Sequence, residues 1–217
     1  MKAMILAAGL GTRMRPLTNH TPKPLLEVGG KPLILWHIEA LREAGFKEIV
    51  VNVAYLAEEI IEYLGDGSRF GVEITISNES KSGALETAGG IIKALPLLSE
   101  TFLVLNGDVW CNYSYNREFV LKENSLAHLV LVDNPKHNPK GDFKLDGTNE
   151  VYTFSGIAYY SKAFFLGIQE GKQPLAPLLF SQIEKQRVTM EHFNGLWYDI
   201  GTPERLRELD FKLSQKK

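Results

Sequence analysis

The sequence contains little cysteine and no excess of positive charge. Its single cysteine, Cys111, allows neither an internal disulfide nor a zinc site built from several cysteines of one chain. Lysine and arginine together number 24 against 26 aspartates and glutamates, which gives a net charge of −2. A chain with this balance has no general basic field for nucleic acid. We therefore expect a cytoplasmic protein that binds no nucleic acid and holds any anionic ligand with a few local groups.

Long apolar runs, internal repeats and flexible linkers are also missing from the sequence. No run approaches the roughly 20 apolar residues that cross a bilayer. The apolar stretch at residues 3–8 is too short for the core of a signal peptide. At 217 residues with 44% hydrophobic content, the composition is that of one globular domain. We expect no membrane contact, a monomer or homodimer, and a single domain over residues 1–217 with halves at 1–133 and 134–217.

The pattern of apolar residues changes partway along the chain. Up to residue 133, short β-rich runs alternate with amphipathic segments, which is typical of βαβ units. Beyond it, turn motifs separate shorter β-like runs, and a last helix begins with Thr202 as its N-cap and Pro203 in its first position. The sequence thus predicts an α/β fold, with a Rossmann-like, mostly parallel mixed sheet flanked by helices and a small β-rich second half. The predicted strands are residues 3–7, 48–53, 72–77, 101–106, 127–133, 143–145, 151–154, 156–160, 188–193 and 197–200, and the predicted helices are residues 32–44, 57–64, 85–95, 175–186 and 203–213.

A glycine-rich loop follows the first predicted strand. Glycines such as Gly9 and Gly11 let backbone N–H groups approach phosphate closely, and Arg13 and Arg15 add charge-assisted donors. The dinucleotide-binding fingerprint does not fit, because Met14 stands where a third small residue is required, and the P-loop motif is absent. A bare glycine pair can be a simple turn, but its position after the first strand favours a nucleotide-phosphate loop.

Lys23 lies between two prolines, Pro22 and Pro24. Proline fixes the backbone φ angle, so the flanking prolines restrict where the lysine ammonium can point. A lone lysine is usually solvated surface, but this one follows Arg13 by ten residues. We expect both side chains to contact the same triphosphate.

These residues carry a resemblance to a known family. Residues 6–18, LAAGLGTRMRPLT, followed by PKPL at residues 22–25, resemble the signature of the nucleotide-sugar pyrophosphorylases, which are sugar 1-phosphate nucleotidyltransferases. The resemblance extends over about residues 3–207. It implies a GT-A-like fold and transfer of a nucleotidyl group to a sugar 1-phosphate with release of pyrophosphate. It implies Arg13, Lys23 and Asp108 as catalytic residues, and it implies as nucleotide-binding residues Ala8, Gly9, Gly11, Thr12, Arg13, Lys23, Asn78, Gly83 and Asn106.

Further along the chain, a loop and two acids resemble other motifs of this family. Residues 78–90 resemble the family's base-binding loop, in which Asn78 and Gly83 take the places that read a pyrimidine edge. Asp108 follows an apolar strand and should lie at the carboxyl edge of the sheet, where α/β folds bind ligands. Mg²⁺ in phosphoryl-transfer sites takes one or two carboxylates, so Asp108 and Asp199 are its predicted ligands. Alternatively, Asp108 caps a turn and Asp199 caps the last helix.

The second half of the chain should bind the acceptor sugar. Residues 141–143 and 153–157 resemble the N-acetylmuramate 1-phosphate uridylyltransferases of the family. This implies Asp142, Ser155 and Gly156 as substrate-binding residues, although Asp142 could instead only end a turn. Many family members hold the sugar phosphate with the lysine of a Glu-Lys-Pro motif, which this sequence lacks. The remaining candidates for that contact are Lys140, Lys144 and Arg15.

The sequence therefore predicts a Mg²⁺-dependent uridylyltransferase that joins UTP to a sugar 1-phosphate. The resemblance implies N-acetylmuramate 1-phosphate as the acceptor and a role in peptidoglycan sugar recycling. Mannose 1-phosphate guanylyl transfer, cytidylyl transfer by the same fold, and a non-catalytic regulatory protein that binds nucleotide sugars are the alternatives. Glu86, in the first turn of a predicted helix, is expected to stabilise that helix through its dipole. The five histidines show no ligand spacing, so none is predicted to bind metal or act as a nucleophile.

Overall fold

A computed structural model describes residues 1–81, 83 and 85–215 of the chain. One sheet of eight strands runs in the order β11-β8-β10-β6-β1-β4-β5, with β9 paired to β10. Two small two-stranded sheets, β2–β3 and β7–β12, stand apart from it. The strands are β1 (Lys2–Leu6), β2 (Glu27–Val28), β3 (Lys31–Pro32), β4 (Glu48–Val53), β5 (Glu73–Asn78), β6 (Thr101–Asn106), β7 (Val109–Cys111), β8 (Ala127–Val132), β9 (Phe143–Lys144), β10 (Val151–Ser161), β11 (Val188–His192) and β12 (Trp197–Asp199). The helices are α1 (Leu33–Glu43), α2 (Ala57–Leu64), α3 (Glu86–Ala94), α4 (Leu175–Glu184) and α5 (Pro203–Ser214).

Strand β1 lies in the middle of the sheet and is buried on both faces. Its Ala3 and Ile5 belong to a core that includes residues of α1 and α2, whereas Met4 belongs to a second core that includes residues of α3 and α4. Alternate side chains of a strand point to opposite faces, so one helix pair covers each face of the sheet. The α/β class and the mixed sheet with flanking helices are thus confirmed.

Three of the four parallel pairings in the sheet come from the first half of the chain, and the fourth joins β8 to β11. Strand β1 pairs in parallel with β4 and with β6, and β4 pairs in parallel with β5. The predicted bounds 48–53, 57–64 and 101–106 coincide with β4, α2 and β6. The carboxyl ends of these parallel strands meet at one edge of the sheet, which is where the glycine loop begins.

Strand β10 differs from its prediction. The sequence predicts two strands, 151–154 and 156–160, but the chain forms one strand, Val151–Ser161, antiparallel to both β6 and β8. The register shifts between Phe154 and Ile157, which marks a β-bulge at the predicted break. Gly156 has φ of +80°, a conformation that glycine adopts without steric cost. The glycine therefore bends the strand without ending it.

A third apolar core connects the glycine loop to the last helix. Met14 of the loop and Leu206 and Leu209 of α5 are buried together with Leu33 and Ile200. Thr202 caps α5 as predicted, with its Oγ1 accepting from the Arg205 N–H at 3.4 Å. Within the described residues, no helix has the length and apolar character needed to cross a membrane. The division into halves at residue 133 stays a prediction.

Candidate active site

Three adjoining cavities open at the carboxyl edge of the sheet, and Asn106 at the end of β6 lines all of them. The first cavity, of about 240 Å³, includes Lys23 and Asp108 in its lining. The second, of about 640 Å³, includes Asp142 and Phe154. The third, of about 260 Å³, shares Asp108 with the first and Phe154 with the second. Ligands bound in the three cavities could therefore all contact Asn106.

The glycine loop forms one wall of the first cavity. The Ala7 N–H at its start donates to Asn52 Oδ1 of β4 at 2.8 Å. Gly11 has φ of +61°, and its carbonyl accepts from the Thr18 hydroxyl at 2.8 Å, which closes the turn. Ala8 and Gly9 line the first cavity, whereas the predicted contacts Gly11 and Thr12 lie away from all three cavities.

Lys23 and Asp108 form an ion pair at the junction of the first and third cavities. The Lys23 ammonium donates to Asp108 Oδ2 at 2.7 Å, and the lysine side chain is only 11% exposed. Arg13, the predicted partner of Lys23, lines the third cavity instead of the first. The two cations therefore line different cavities, which share Asp108. Among the described residues no backbone N–H donates to the Asp108 carboxylate, so it does not act as the turn cap of the alternative interpretation.

The antiparallel pairing of β7 with β12 brings Asp108 and Asp199 together from distant parts of the sequence. Asp199 pairs with Val109, and the Ile200 N–H donates to the Asp108 carbonyl at 2.9 Å. Both carboxylates line the third cavity. The cap of α5 is Thr202, so the alternative in which Asp199 caps that helix is wrong.

Two cationic or polar groups contact the Asp199 carboxylate. Arg205 Nη1 donates to Asp199 Oδ2 at 2.6 Å, and His137 Nε2 lies 3.0 Å from the same oxygen. Oδ1 of Asp199 has no hydrogen bond from the described residues. One oxygen of the carboxylate is therefore held in place and the other is free for a ligand.

His37 lies on α1 close to the Asp108 loop and is 4% exposed. Burial lowers the pKa of His37 from 6.5 to about 4, although the negative charge of Asp108 and the carbonyls of Gly107 and Val109 act in the opposite direction. Its Nε2 has no hydrogen-bond partner among the described residues. His37 is therefore neutral at physiological pH and adds no positive charge near Asp108.

The predicted base-binding loop places a different side chain in the cavity. Asn78 is exposed and its Oδ1 accepts from the Ser80 N–H at 2.9 Å, away from the three cavities. The next residue, Glu79, is 1% exposed and lines the first cavity. Glu79 Oε1 accepts from Asn52 Nδ2 at 2.7 Å, and its Oε2 accepts from the Leu85 N–H at 3.3 Å.

Glu79 and Asn52 were not singled out from the sequence. The signals that could have found them are a polar residue inside an apolar strand and an acid directly after the next strand, both at the carboxyl edge. Gly83 has φ of +72° and lines none of the three cavities. Residues 82 and 84 of the predicted loop lie outside the described part of the chain.

Glu86 begins α3 with φ of +60° and lines both the first and the second cavity. Its carboxylate lies 3.4 Å from the Lys172 ammonium. The N–H groups of Ala88 and Gly89 donate to the carbonyl of Gln173, each at 3.1 Å. The first turn of the helix is thus tied to the segment before α4, and Glu86 faces the cleft in addition to its position at the helix terminus.

Two of the predicted acceptor residues line the second and third cavities and form hydrogen bonds with neighbouring backbone and side-chain groups. Asp142 Oδ2 accepts from the Phe154 N–H at 2.8 Å, and its Oδ1 accepts from Asn138 Nδ2 at 2.9 Å. Ser155 is fully buried and donates to the Val130 carbonyl at 2.6 Å. A Cβ on Gly156 would lie 2.6 Å from Asn106 Nδ2, so this glycine leaves room for the asparagine. The predicted phosphate contacts Lys140, Lys144 and Arg15 line none of the three cavities.

Comparison with known proteins places the chain in a family. Residues 2–156 match the family model described as nucleotidyl transferase. An N-acetylmuramate alpha-1-phosphate uridylyltransferase of Neisseria meningitidis is 51% identical over 96% of each chain. A UTP–glucose-1-phosphate uridylyltransferase of Synechocystis is 48% identical over 93% of this chain and 53% of its own length. A mannose-1-phosphate guanyltransferase of Yarrowia lipolytica is 36% identical over 94% of this chain and 61% of its own. The chain thus spans nearly all of the first relative and little more than half of the other two.

Solved structures share the fold. A Bacillus anthracis structure, assigned as a glucose-1-phosphate thymidylyltransferase, superposes with a TM-score of 0.86 over 99% of this chain and 95% of its own, at 22% identity. HddC from Yersinia pseudotuberculosis superposes with a TM-score of 0.79 over 97% and 98% of the two chains, at 23% identity. The predicted GT-A-like architecture and the predicted family resemblance are both confirmed. The chain belongs to the nucleotidyl transferase family, among its sugar 1-phosphate nucleotidyltransferases.

Proposed function

We propose that this protein transfers the uridylyl group of UTP to N-acetylmuramate 1-phosphate and releases pyrophosphate. The observation that carries the proposal is that Asp108 and Asp199 line one cavity together with Arg13, while Lys23 forms an ion pair with Asp108. The base and the sugar follow from the 51% identical relative, whose whole length the chain nearly covers. This role would place the enzyme in the cytoplasm, in the recycling of peptidoglycan sugars, as a monomer or homodimer.

The residues present fit a magnesium ion. Mg²⁺ prefers oxygen ligands and in phosphoryl-transfer sites takes one or two carboxylates together with substrate phosphates. Asp108 and Asp199 supply two such carboxylates, each with one oxygen held by a cation. Among the described residues, no cluster of three or more metal-binding side chains is present, so substrate oxygens would complete the coordination. When bound, Mg²⁺ would neutralise phosphate charge during the transfer.

The reaction needs positioning more than proton transfer. An oxygen of the acceptor phosphate attacks the α-phosphorus of UTP in line, forming one P–O bond. The bond from the α-phosphorus to its bridging oxygen breaks, its electron pair stays on that oxygen, and pyrophosphate leaves. A sugar phosphate is already ionised at pH 7, so no general base is required. Lys23 and Arg13 would stabilise the charge that develops on the phosphates.

The proposed binding residues divide between the cavities. Ala8, Gly9 and Lys23 would contact the nucleotide in the first cavity. Asp142 lines the second cavity and Ser155 the third, where they would shape the acceptor site together with Gly156 of the bulge. Gly11 and Thr12 would fix the conformation of the glycine loop. Asn78 and Gly83 remain proposed contacts of the base, although they would have to move towards the first cavity when the nucleotide binds. Asn106 would lie between both substrates.

A matrix of nucleoside triphosphates against sugar 1-phosphates, assayed with Mg²⁺ by pyrophosphate release, tests the proposal. We expect the highest kcat/KM with UTP and N-acetylmuramate 1-phosphate. Higher activity with GTP and mannose 1-phosphate would favour the second candidate, guanylyl transfer. The 36% identical Yarrowia relative supports this candidate. Highest activity with CTP would favour cytidylyl transfer. Nucleotide-sugar binding without pyrophosphate release from any pair would indicate a regulatory protein.

A further inference from the structure

Asn52 and Glu79 form a buried polar pair in the lining of the first cavity. Asn52 lies near the end of β4 and is 3% exposed, and Glu79 directly follows β5 and is 1% exposed. The Glu79 N–H donates to the Val53 carbonyl at 2.7 Å, which fixes its backbone beside β4. A carboxylate buried in this way is destabilising unless hydrogen-bond donors satisfy its oxygens. The donors that it meets therefore indicate its role.

The hydrogen bonds of the pair connect two segments of the cavity lining. The Ala7 N–H, where the glycine loop begins, donates to Asn52 Oδ1 at 2.8 Å. Asn52 Nδ2 donates to Glu79 Oε1 at 2.7 Å, and the Leu85 N–H, directly before α3, donates to Glu79 Oε2 at 3.3 Å. Ala7 and Leu85 both line the first cavity themselves. The pair therefore fixes the start of the glycine loop relative to the start of α3.

The order of donors and acceptors requires a carboxylate at position 79 beside an amide at position 52. Because the Ala7 N–H needs an acceptor, the Asn52 oxygen faces β1 and the Asn52 nitrogen faces Glu79. Glu79 then meets a donor at each of its two oxygens. A carboxylate accepts at both, whereas the amide of a glutamine has only one acceptor oxygen. The chemistry of the two side chains matters here as well as their size.

Helix α3 leaves room for the pair at Gly90. A Cβ on Gly90 would lie 2.7 Å from Glu79 Oε1 and 2.8 Å from Asn52 Nδ2. Glycine in the interior of a helix is less favourable than alanine, so this close approach is made at the expense of helix stability. The helix therefore packs directly on the two hydrogen-bonded side chains and leaves them no space to move apart.

We propose that Asn52 and Glu79 are positioning residues, which hold the glycine loop and the segment before α3 at the separation that the nucleotide requires. Both oxygens of Glu79 already accept a hydrogen bond, and the residue is almost fully buried. The pair therefore acts through Ala7 and Leu85, whose backbone it fixes, and not through a contact of its own with the nucleotide. The assignment rests on the proposed function, since it takes UTP as the ligand of the first cavity.

The test exchanges the amide and the carboxylate between the two positions. Glu79→Gln alone leaves one buried donor without an acceptor, and Asn52→Asp alone brings two carboxylates together. In the double variant Asn52→Asp/Glu79→Gln, the new carboxylate can accept from the Ala7 N–H and from the glutamine amide. The glutamine oxygen can then accept from the Leu85 N–H. The double variant has the net charge of the wild type and side chains of the same size.

Two further variants complete the set. Gly90→Ala presses a methyl group on the pair but removes no polar group, so it tests the role even if Glu79→Gln does not fold. Glu58→Gln makes the same change of charge as Glu79→Gln at an exposed position of α2 and is the control. Calorimetric titration with UTP and Mg²⁺, without acceptor, gives the Kd for nucleotide. Steady-state kinetics give the KM for acceptor, and urea unfolding measures stability separately.

We expect the Kd for UTP to rise about tenfold in Glu79→Gln and in Asn52→Asp, as is typical for loss of a hydrogen bond to a charged group. In the double variant the Kd should return close to the wild-type value, because all three hydrogen bonds are restored. Gly90→Ala should raise the Kd as the single variants do, and Glu58→Gln should leave it unchanged. The KM for acceptor should stay near wild type throughout, because the pair lines only the first cavity.

Three results would overturn the assignment. An unchanged Kd for UTP in folded Glu79→Gln or, if that variant does not fold, in Gly90→Ala would mean that the pair only stabilises the fold. A double variant that binds UTP as weakly as Glu79→Gln would show that the Glu79 carboxylate contacts the nucleotide itself. A double variant that does not fold would show that the exchanged hydrogen bonds do not replace the original ones.

Failure of the proposed function has a different signature. If the wild type binds UTP but releases pyrophosphate with no acceptor, the proposed function fails, while the titrations still decide the role of the pair. If another nucleoside triphosphate binds in place of UTP, the same titrations with that nucleotide decide it. A wild type that binds no nucleoside triphosphate would overturn both proposals.

Discussion

Lys23 and Asp108 illustrate how single side chains define this site. Their charged atoms lie 2.7 Å apart, and both groups line the first cavity. Replacing one leaves the other without its charge partner as well as removing its own contact with substrate or metal. The two variants should nevertheless differ in their response to magnesium, because only Asp108 offers a ligand oxygen.

Asp108→Asn should abolish most turnover while the fold stays intact. The amide keeps the size of the side chain but loses the negative charge that Mg²⁺ requires. We expect a fall of several orders of magnitude in pyrophosphate release and weaker Mg²⁺ binding in a calorimetric titration. Asp146→Asn, at an exposed position away from the cavities, is the control and should be silent. A wild-type rate for Asp108→Asn would exclude the metal assignment.

Lys23→Ala should lower kcat by about a hundredfold to a thousandfold, the typical cost of removing one preorganised group that stabilises transition-state charge. The Mg²⁺ requirement should change less than in Asp108→Asn. Lys144→Ala, exposed and bonded only to Asn149 at 3.1 Å, serves as the control. An unchanged single-turnover rate for Lys23→Ala would show that this lysine has no part in the transfer.

His37 predicts a dependence of stability on pH. Its pKa is about 4 in the folded chain and 6.5 when exposed, so below pH 6.5 the unfolded state binds a proton that the folded state does not. Stability is therefore lost as pH falls from 6.5 towards 4, by about 2 kcal/mol between pH 7.5 and 5. In His37→Leu this loss should be absent from urea unfolding curves at the two pH values. Equal pH slopes for variant and wild type would contradict the assignment.

Residues with a strong local pattern were predictable, whereas those defined by geometry were not. The glycine loop, Lys23 and the two acids follow apolar strands or rigid turns, and their convergence on one edge follows from a parallel sheet. By contrast, choosing Glu79 over Asn78 requires knowing which of two adjacent side chains points inward at the end of β5. Arg205 and His137 contact each other from positions 68 residues apart, a pairing that no local pattern indicates.

At the scale of elements, regular periodicity predicted most helices and strands, but short pairings between distant segments escaped it. Strand β12 lies within the predicted strand 197–200, but the three-residue strand β7 was not predicted, and neither was the pairing of these distant segments that aligns Asp108 with Asp199. The sequence around the bulge in β10 has the local pattern of a break between two strands. The strand stays whole because the ladder to β8 resumes after the bulge, where β6 pairs with Ile157–Ser161 on the other side.

Gly156→Ala tests the role of this bulge. A Cβ at this position would meet Asn106 at 2.6 Å, and φ of +80° would strain any other residue. Gly147 is a matched control, because its φ is +77° but nothing lies within 4 Å of a Cβ placed there. We expect Gly147→Ala to cost about 1 kcal/mol from backbone strain alone. Gly156→Ala should cost more and lower activity by displacing Asn106. Equal urea midpoints for Gly156→Ala and Gly147→Ala, with unimpaired activity, would contradict a role for the close approach of residue 156 to Asn106.

At the scale of the whole molecule, the chain is nearly neutral, but charged side chains of both signs are concentrated at one edge of the sheet. The net charge is −2, yet Arg13, Lys23 and Arg205 gather around two carboxylates at one edge of the sheet. Phosphate groups would thus be held by a few oriented groups instead of a general basic surface, as the composition predicts. This arrangement depends on both halves of the chain, since Asp199 and Arg205 follow residue 133 while the other groups precede it.

The strand order predicts that residues 1–133 do not fold alone. Strand β10 lies between β6 and β8, so a fragment ending at residue 133 would lack the strand that joins these two. The backbone edges of β6 and β8 that pair with β10 in the full chain would then be unpaired, and β8 would be separated from the rest of the sheet. We expect the fragment to show no cooperative urea transition, and we expect co-expression with residues 134–217 to restore one. A cooperative transition in the isolated fragment would instead establish the first half as an independent domain, because only a complete core gives all-or-none unfolding.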